Sequence, residues 1–231
     1  MLFRIMSIKQ NIEHFNEKLS TTSAKLIAVS KTKPNEDLLQ AYEVGQKDFG
    51  ENKVQELARK AEELPKDIKW HMIGHLQRNK VKYIAPFVHL IHGVDSERLL
   101  VEINKQGLKN NRIIDCLLQV YIADEETKFG LSEEELKTLL QGENLTNLHN
   151  IRIIGLMGMA TNTDHQDQVR QEFAHLKTIF EELKANLDLP NVQLQELSMG
   201  MTGDYEIACA EGSTMVRIGS AIFGARNYPT Q

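Results

Sequence analysis

Residues 26–31 read Leu-Ile-Ala-Val-Ser-Lys, a short run of apolar and β-branched residues that ends in a lysine. A helical pattern follows it, and the same order of short apolar run and helical pattern recurs along the chain. The predicted strands are 26–31, 48–52, 70–74, 88–92, 116–122, 151–159, 194–199 and 215–223. Eight strands that alternate with helices predict an α/β protein, a (β/α)8 TIM-type barrel.

A doubly wound open sheet alternates strands and helices in the same way. Its dinucleotide-binding form carries a Gly-x-Gly-x-x-Gly turn directly after the first strand. Here Lys31 is followed by Thr32, Lys33 and Pro34, so that turn is missing and we favour the barrel. The 231 residues contain no linker, repeat or low-complexity segment, which predicts a single domain over residues 1–231.

The first 22 residues carry apolar side chains at helical spacing. These are Ile5, Ile8, Ile12, Phe15 and Leu19. Glu13 and Glu17 lie between them and argue against a mitochondrial targeting segment, which is poor in acidic residues. We therefore expect an extra N-terminal helix within residues 1–22 that packs on the barrel.

The composition excludes several classes of protein. With 27 basic and 32 acidic residues the net charge is -5, whereas nucleic-acid binding needs a basic surface. No apolar run reaches the ~18 residues of a membrane span. Cys116 and Cys209 form no Cys-x-x-Cys pair, which fits a reducing compartment and predicts a cytoplasmic protein. His71 and His75 lie on a strand and its turn, a spacing that does not bring both imidazoles to one metal, so no metal site is predicted.

In a barrel of this kind the functional residues lie at the carboxyl ends of the strands. The period of two places Ile27, Val29 and Lys31 on one face of the first strand. If that face points inward, Lys31 is a partly buried amine with a lowered pKa, suited to imine formation. Lys33 precedes Pro34, so we expect it to be extended and solvated in the loop. The residues alone do not decide between this role and an ordinary solvated lysine at position 31.

Other strand ends carry polar residues with two possible roles each. Asn52 either contacts a ligand or caps the next helix. The turns at 198–204 and at Gly219-Ser220 either offer backbone N–H groups to a phosphate or only make tight turns. Arg217, inside the eighth strand, either faces solvent or faces inward, where it needs an acceptor.

Several segments together match the motifs of a known family. They are 28–34 (Ala-Val-Ser-Lys-Thr-Lys-Pro), 49–52 (Phe-Gly-Glu-Asn) with 54–56, 70–71 (Trp-His) with 73–77, 79–80 (Asn-Lys), 198–201 (Ser-Met-Gly-Met) with Asp204, 212–219 and 222–226. In this order they resemble the YggS/PROSC family, the pyridoxal phosphate homeostasis proteins. The resemblance extends from about Lys25 to Arg226, nearly the whole chain.

The resemblance implies a fold like the barrel domain of alanine racemase, with pyridoxal 5′-phosphate (PLP) as the cofactor. It implies Lys31 as the Schiff-base residue and Arg217 against the pyridine nitrogen. Ser198, Gly219 and Ser220 would surround the phosphate.

Asn52 completes the expected cofactor-binding set. Two positions depart from the family pattern. Tyr121 stands where Asn is expected after the fifth strand, which puts a phenol near the mouth of the barrel, and Ser220 stands where Thr is common but keeps the hydroxyl.

The function implied by the resemblance is intracellular PLP homeostasis: a monomer that buffers PLP or delivers it, with apo PLP-dependent enzymes as transient recipients, without catalysis of its own. Alanine racemase needs a second, β-rich domain, for which eight βα units leave no length here. An Arg opposite the ring nitrogen would also keep the ring a weak electron sink. The alternatives are a small PLP-dependent amino-acid racemase and, from barrel logic alone, a Schiff-base aldolase that acts on a phosphorylated sugar.

Overall fold

The computed structural model describes residues 7–123 and 130–224. Their strands close into a parallel barrel in chain order, as expected. The strands are β1 Lys25–Val29, β2 Asp48–Glu51, β3 Lys69–Met72, β4 Leu90–Val94, β5 Ile114–Gln119, β6 Ile151–Met157, β7 Val192–Met201 and β8 Met215–Ile218. The helices are α1 Ile8–Leu19, α2 Asn35–Glu43, α3 Val54–Glu63, α4 Glu97–Lys109, α5 Glu133–Gln141, α6 Gln166–Asn186, α7 Tyr205–Ala210 and α8 Ser220–Phe223, with 3-10 turns at Arg78–Tyr83 and Leu145–Asn147.

Alternation along the strands separates two cores. Side chains on the outer face pack under the helices in one large apolar cluster. The inner face contributes a smaller cluster inside the barrel: Ile27, Leu90, Leu117, Met157 and Met215. Because a (β/α)8 barrel is filled by side chains, this inner layer closes the barrel and leaves its carboxyl end as the place for a site.

The N-terminal helix packs on the barrel as expected. The side chains of Ile12, Phe15 and Leu19 in α1 are buried. The Phe15 ring meets the Tyr205 ring edge-on, with the ring centres 5.5 Å apart. The Asn11 side-chain amide donates to Ile222 O at 2.9 Å, so α1 also contacts α8, beside the site described below.

All eight predicted strands differ from the structure at one end or both, by one to five residues, and two of the differences have a visible cause. The eighth strand ends at Ile218 rather than 223, because the N–H groups of Ile222 and Phe223 turn back to Gly219 O and form α8. The fourth strand begins two residues late, since the Val88 N–H still donates to Ile84 O in the preceding turn.

Candidate cofactor site

A cavity of about 280 Å³ opens at the carboxyl ends of the strands. Five of the six predicted site residues line it: Lys31, Asn52, Arg217, Gly219 and Ser220. The rest of the wall is formed by Val29, Lys33, Ile73, Met159, Met201, Thr202, Gly203 and Gly224. One cavity therefore combines two amines, a guanidinium and two hydroxyl-bearing loops.

Lys31 reaches this cavity from the turn after β1. The strand ends at Val29, and Ile27 and Val29 face the interior, so the expected face is correct although Lys31 lies beyond the strand. Thr32 next to it adopts a left-handed conformation with φ 67°, which costs a β-branched residue about 1–2 kcal/mol. The Thr32 N–H donates to Glu56 Oε1 at 2.7 Å, and this bond fixes the turn.

A buried ion cluster supports the same turn from below. The fully buried ammonium of Lys60 donates to Ser30 O, Glu51 Oε1 and Glu56 Oε1, each at 2.8 Å. The Ser30 hydroxyl also donates to Glu51 Oε1 at 2.6 Å. Burial raises the pKa of Glu51, and the charge of Lys60 opposes that rise. Lys60 thus joins the end of β1 to α3 and holds the lysine turn in place.

Arg217 projects into the barrel from β8, because its neighbours Val216 and Ile218 belong to the outer core. Its Nη1 donates to Ser198 O at 2.8 Å and to Ser198 Oγ at 2.7 Å, and its Nη2 donates to Gly158 O at 3.0 Å. Burial lowers the pKa of Arg217 to about 10, so the group remains protonated at neutral pH. The inward orientation is confirmed, and Arg217 presents to the cavity a fixed cation that can only donate.

Ser198 lies elsewhere than predicted. Its side chain is fully buried and does not line the cavity. The Oγ atom accepts the Arg217 hydrogen bond and lies 3.0 Å from His92 Nδ1. Since β7 continues to Met201, the loop that reaches the cavity begins only at Thr202. The placement of Ser198 behind Arg217 gives no support to a direct phosphate contact.

The loops after β7 and β8 meet at one wall of the cavity. Thr202 and Gly203 come from the first loop, and Gly219 and Ser220 from the second. The Ser220 hydroxyl is 3.4 Å from Thr202 Oγ1. Two hydroxyl donors side by side suit an anionic oxygen group. Thr202 was part of a segment singled out from the sequence, but its own role was not predicted.

Gly200 makes the first of these loops possible. Its φ is +95°, and a Cβ atom there would lie 2.5 Å from the Ala208 Cβ. The β7–β8 register shifts between Ser198 and Met201 at the same place, so the strand bulges around this glycine. Asp204 precedes α7 but does not cap it through its side chain; its carboxylate accepts the Met201 N–H and so closes the loop.

Asn52 and Lys33 resolve two further expectations. The cap position of α3 is Lys53, so the capping role considered for Asn52 is wrong. The Asn52 Oδ1 atom is buried without a hydrogen-bond partner, as expected of a group that a ligand satisfies. Lys33 lies in the cavity wall rather than in solvent, and its ammonium donates to Phe223 O at 2.7 Å.

Tyr121 and the two histidines considered for a metal lie apart from this site. Tyr121 lines a different cavity, beside Asp95 and Leu131, so the phenol is not in the wall around Lys31. His71 is buried inside the barrel, whereas His75 is exposed beside Asp95. The two imidazoles therefore do not share a site.

Comparison with known proteins identifies the barrel class first. The profile of the alanine racemase N-terminal domain family matches residues 4–227. The crystal structure of the Bartonella henselae alanine racemase shares the fold, with a TM-score of 0.71, at 17% identity over 96% of this chain and 60% of that chain. A pyridoxal phosphate homeostasis protein of Aquifex aeolicus is 44% identical over 89% of this chain and 88% of its own length.

A solved structure is similar to this chain over nearly its whole length. PipY of Synechococcus elongatus PCC7942, determined with PLP bound, has a TM-score of 0.84 and 34% identity over 94% of this chain and 100% of that chain. This chain belongs to the family of pyridoxal phosphate homeostasis proteins. Within residues 7–123 and 130–224, no helix combines the length and apolar character that crossing a membrane requires.

Proposed function

We propose that this protein binds PLP, holds it as a Schiff base on Lys31 and takes part in intracellular PLP homeostasis as a buffer or carrier. The observation that carries the proposal is the single cavity that contains the amine of Lys31, the guanidinium of Arg217 and the hydroxyls of Thr202 and Ser220. An aldehyde, a pyridine nitrogen and a phosphate require these three kinds of partner. The PLP-bound PipY structure supports the same ligand.

The side chains divide the work of binding. The two hydroxyls would donate to phosphate oxygens, and the unpartnered Asn52 oxygen would gain a polar neighbour. Lys33 adds positive charge to the wall, next to Lys31. The cofactor supplies an electron-withdrawing ring to amines that condense with its aldehyde. Because Arg217 can only donate, it favours an unprotonated ring nitrogen, and the ring is then a weaker electron sink.

That last point favours a carrier over a racemase-like enzyme. We further propose that residues 1–231 act as one domain, that the protein is a monomer, and that apo PLP-dependent enzymes receive the cofactor transiently. A cytoplasmic location fits the two free cysteines, Cys116 and Cys209.

Reduction and peptide mapping test the lysine assignment. The protein is loaded with PLP, reduced with borohydride and digested, and the mass of the cofactor is located. We expect it on Lys31. Lys31→Ala should abolish the imine absorbance, while the matched variant Lys33→Ala, from the same wall, should retain it. Full modification of Lys33 in the wild type would refute the assignment to Lys31. If the protein shows no imine chromophore with PLP, the Schiff-base aldolase becomes the favoured function.

A second experiment separates the carrier from the enzyme. Arg217→Glu supplies an acceptor opposite the ring nitrogen and favours the protonated ring. We expect weaker cofactor retention and faster α-proton exchange of amino acids, followed in deuterium oxide. Rapid exchange in the wild type that Arg217→Glu abolishes would favour the racemase-like enzyme.

A further inference from the structure

A line of polar side chains crosses the interior of the barrel and ends at Arg217. His71 of β3, His92 of β4 and Ser198 of β7 are all fully buried. Each faces inward, because the apolar residues beside it in its strand (Trp70 and Met72, Ile91, Leu197 and Met199) belong to the outer core. The line starts at Asp48, the first residue of β2, at the amino ends of the strands and opposite the cofactor cavity.

Successive members of the line lie within hydrogen-bond distance. Asp48 Oδ1 is 3.0 Å from His71 Nε2, and His71 Nδ1 is 2.9 Å from His92 Nε2. His92 Nδ1 is 3.0 Å from Ser198 Oγ, which is 2.7 Å from Arg217 Nη1. Four contacts thus connect the two ends of the barrel without a gap.

The chemistry of the two ends fixes where every proton lies. An ionised Asp48 only accepts, so His71 Nε2 carries a proton and, in a neutral ring, Nδ1 is bare. His92 must then donate from Nε2 and accept at Nδ1. Arg217 only donates, so Ser198 Oγ accepts a hydrogen bond from it. The Ser198 hydroxyl in turn donates a hydrogen bond to His92 Nδ1. Every contact is satisfied in one direction, from the cation to the carboxylate.

We propose that Asp48, His71, His92 and Ser198 are positioning residues that form a one-way hydrogen-bond relay and fix the guanidinium of Arg217 for the cofactor. The link to the cofactor rests on the proposed function; the relay itself does not. Arg217 has no carboxylate in direct contact among the described residues, and the relay connects it to one through neutral groups.

The surroundings keep both imidazoles neutral. Burial lowers the pKa of His71 and of His92. The charged and titratable groups that act on the two rings are Asp48, Lys25, Lys69, His89 and Arg217. A proton on His92 Nδ1 would also turn the Ser198 hydroxyl away, so that two cations pointed at one oxygen. The relay therefore has a single stable arrangement near neutral pH.

A metal ion is the competing use of the same groups. Asp48, His71 and His89 bring three potential ligand atoms within 4.8 Å of one another. A dication there would displace the proton that His71 gives to Asp48 and reverse the relay. The positive charges of Lys25 and Lys69 also act on this corner and oppose a dication. Hydrogen bonding is the assignment that pairs both ring nitrogens of His71 and of His92.

Nitrogen NMR of the histidine rings tests the relay in the wild-type protein without cofactor. In a long-range ¹H–¹⁵N correlation spectrum, His71 and His92 should both show a bare Nδ1 and a protonated Nε2, before and after addition of EDTA. A proton on Nδ1 of either ring, or an EDTA-dependent change from metal-bound signals, would overturn the proposal.

The effect on Arg217 is tested with three variants at the amino end of the barrel. Asp48→Ala removes the final acceptor, and Asp48→Asn keeps an acceptor oxygen. Asp115→Ala is the matched control, since Asp115 is equally buried at that end but pairs with Arg152.

We expect Asp48→Ala to shift the ring nitrogens of His71 and His92 and to raise the Kd for PLP roughly 2- to 30-fold. Asp48→Asn should keep the ring-nitrogen shifts and the Kd for PLP close to their wild-type values. Asp115→Ala should change neither the ring-nitrogen shifts nor the Kd. Equal effects of Asp48→Ala and Asp115→Ala on Kd would refute the positioning role. If the wild type does not bind PLP, the proposed function fails, and the relay is still decided by the ring nitrogens.

Discussion

Replacing His92 by Gln should make the protein less sensitive to acid. The Gln amide can donate N–H to His71 and accept from Ser198, so it has the polarity of the neutral ring but cannot take up a proton. In the wild type, burial holds the pKa of His92 well below that of a free histidine. Below pH ~6.5 the His92 imidazole therefore binds a proton in the unfolded chain but not in the folded protein. Stability from this residue is complete above that pH and is lost as the pH falls.

The size of the effect follows from linkage. While His92 stays neutral in the folded protein, lowering the pH from 7.5 to 5.0 costs about 2 kcal/mol of unfolding free energy at this one site. That is a large part of the ~5–15 kcal/mol that stabilises a typical domain. His71 and His89 act in the same direction, and burial lowers the pKa of His89 to about 4. Burial raises the pKa of Glu51, which opposes the trend.

Comparison of His92→Gln with the wild type cancels the contributions of His71, His89 and Glu51, which both proteins share. Urea unfolding is followed between pH 7.5 and 5.0 by the fluorescence of Trp70, the single tryptophan, which is buried beside His71. Far-UV circular dichroism provides the second probe. We expect the stability difference between His92→Gln and wild type to shift by about 2 kcal/mol in favour of the variant as the pH falls. Parallel pH profiles would show that His92 takes up its proton in the folded protein, and the reasoning would be wrong.

Three other substitutions are expected to have measurable effects. In the proposed site Ser220 donates to the phosphate dianion, a bond of about 1.5–3 kcal/mol, so Ser220→Ala should raise the Kd for PLP in an absorbance titration about tenfold or more. An unchanged Kd in both Ser220→Ala and Thr202→Val would place the phosphate elsewhere. Lys60→Met leaves buried carboxylates without their cation and should lower the unfolding free energy by about 3–5 kcal/mol. Lys47→Met, which breaks the exposed pair with Asp67, is the control and should change the stability far less. Gly200→Ala introduces an alanine in the left-handed conformation that collides with Ala208, and it should lower the unfolding free energy by roughly 2–5 kcal/mol. In Gly203→Ala the new Cβ atom meets nothing within 4 Å, so this control should be nearly neutral, and equal losses of stability in the two variants would contradict the bulge argument.

The sequence predicted the architecture because the barrel follows from local patterns. The eight apolar runs give the number of strands, and the period of two placed Lys31 on the face of Ile27 and Val29, which points toward the site. The strand pattern left the orientation of Arg217 open, and only the family resemblance implied that it faces inward. The end of β8 was missed for a physical reason. The run at 218–223, Ile-Gly-Ser-Ala-Ile-Phe, carries no charged residue and fits a strand or a helix, and only the hydrogen bonds to Gly219 O decide for the helix.

Ser198 shows where reasoning from single strands stops. Its inward face follows from Leu197 and Met199 on either side, but its depth depends on where β7 ends, three residues later at Met201. The bulge at Gly200 sets the length of β7, and as a result Thr202 rather than Ser198 lines the cavity. A strand end placed at Met199 puts Ser198 near the mouth, whereas the observed end puts it behind Arg217.

His92 shows the same limit across the whole barrel. A histidine inside the apolar run at 90–94 is the same signal that singled out Arg217, a polar residue that needs a partner if it faces inward. Its partners lie on β3 and β7, and β7 is three strands away around the barrel. Only closure of an eight-stranded barrel, whose interior is narrow enough for opposite walls to touch, brings His92 to Ser198. Sequence patterning can therefore identify residues that require a partner, while the closed barrel decides which partner each one meets and joins Asp48 to the cofactor end.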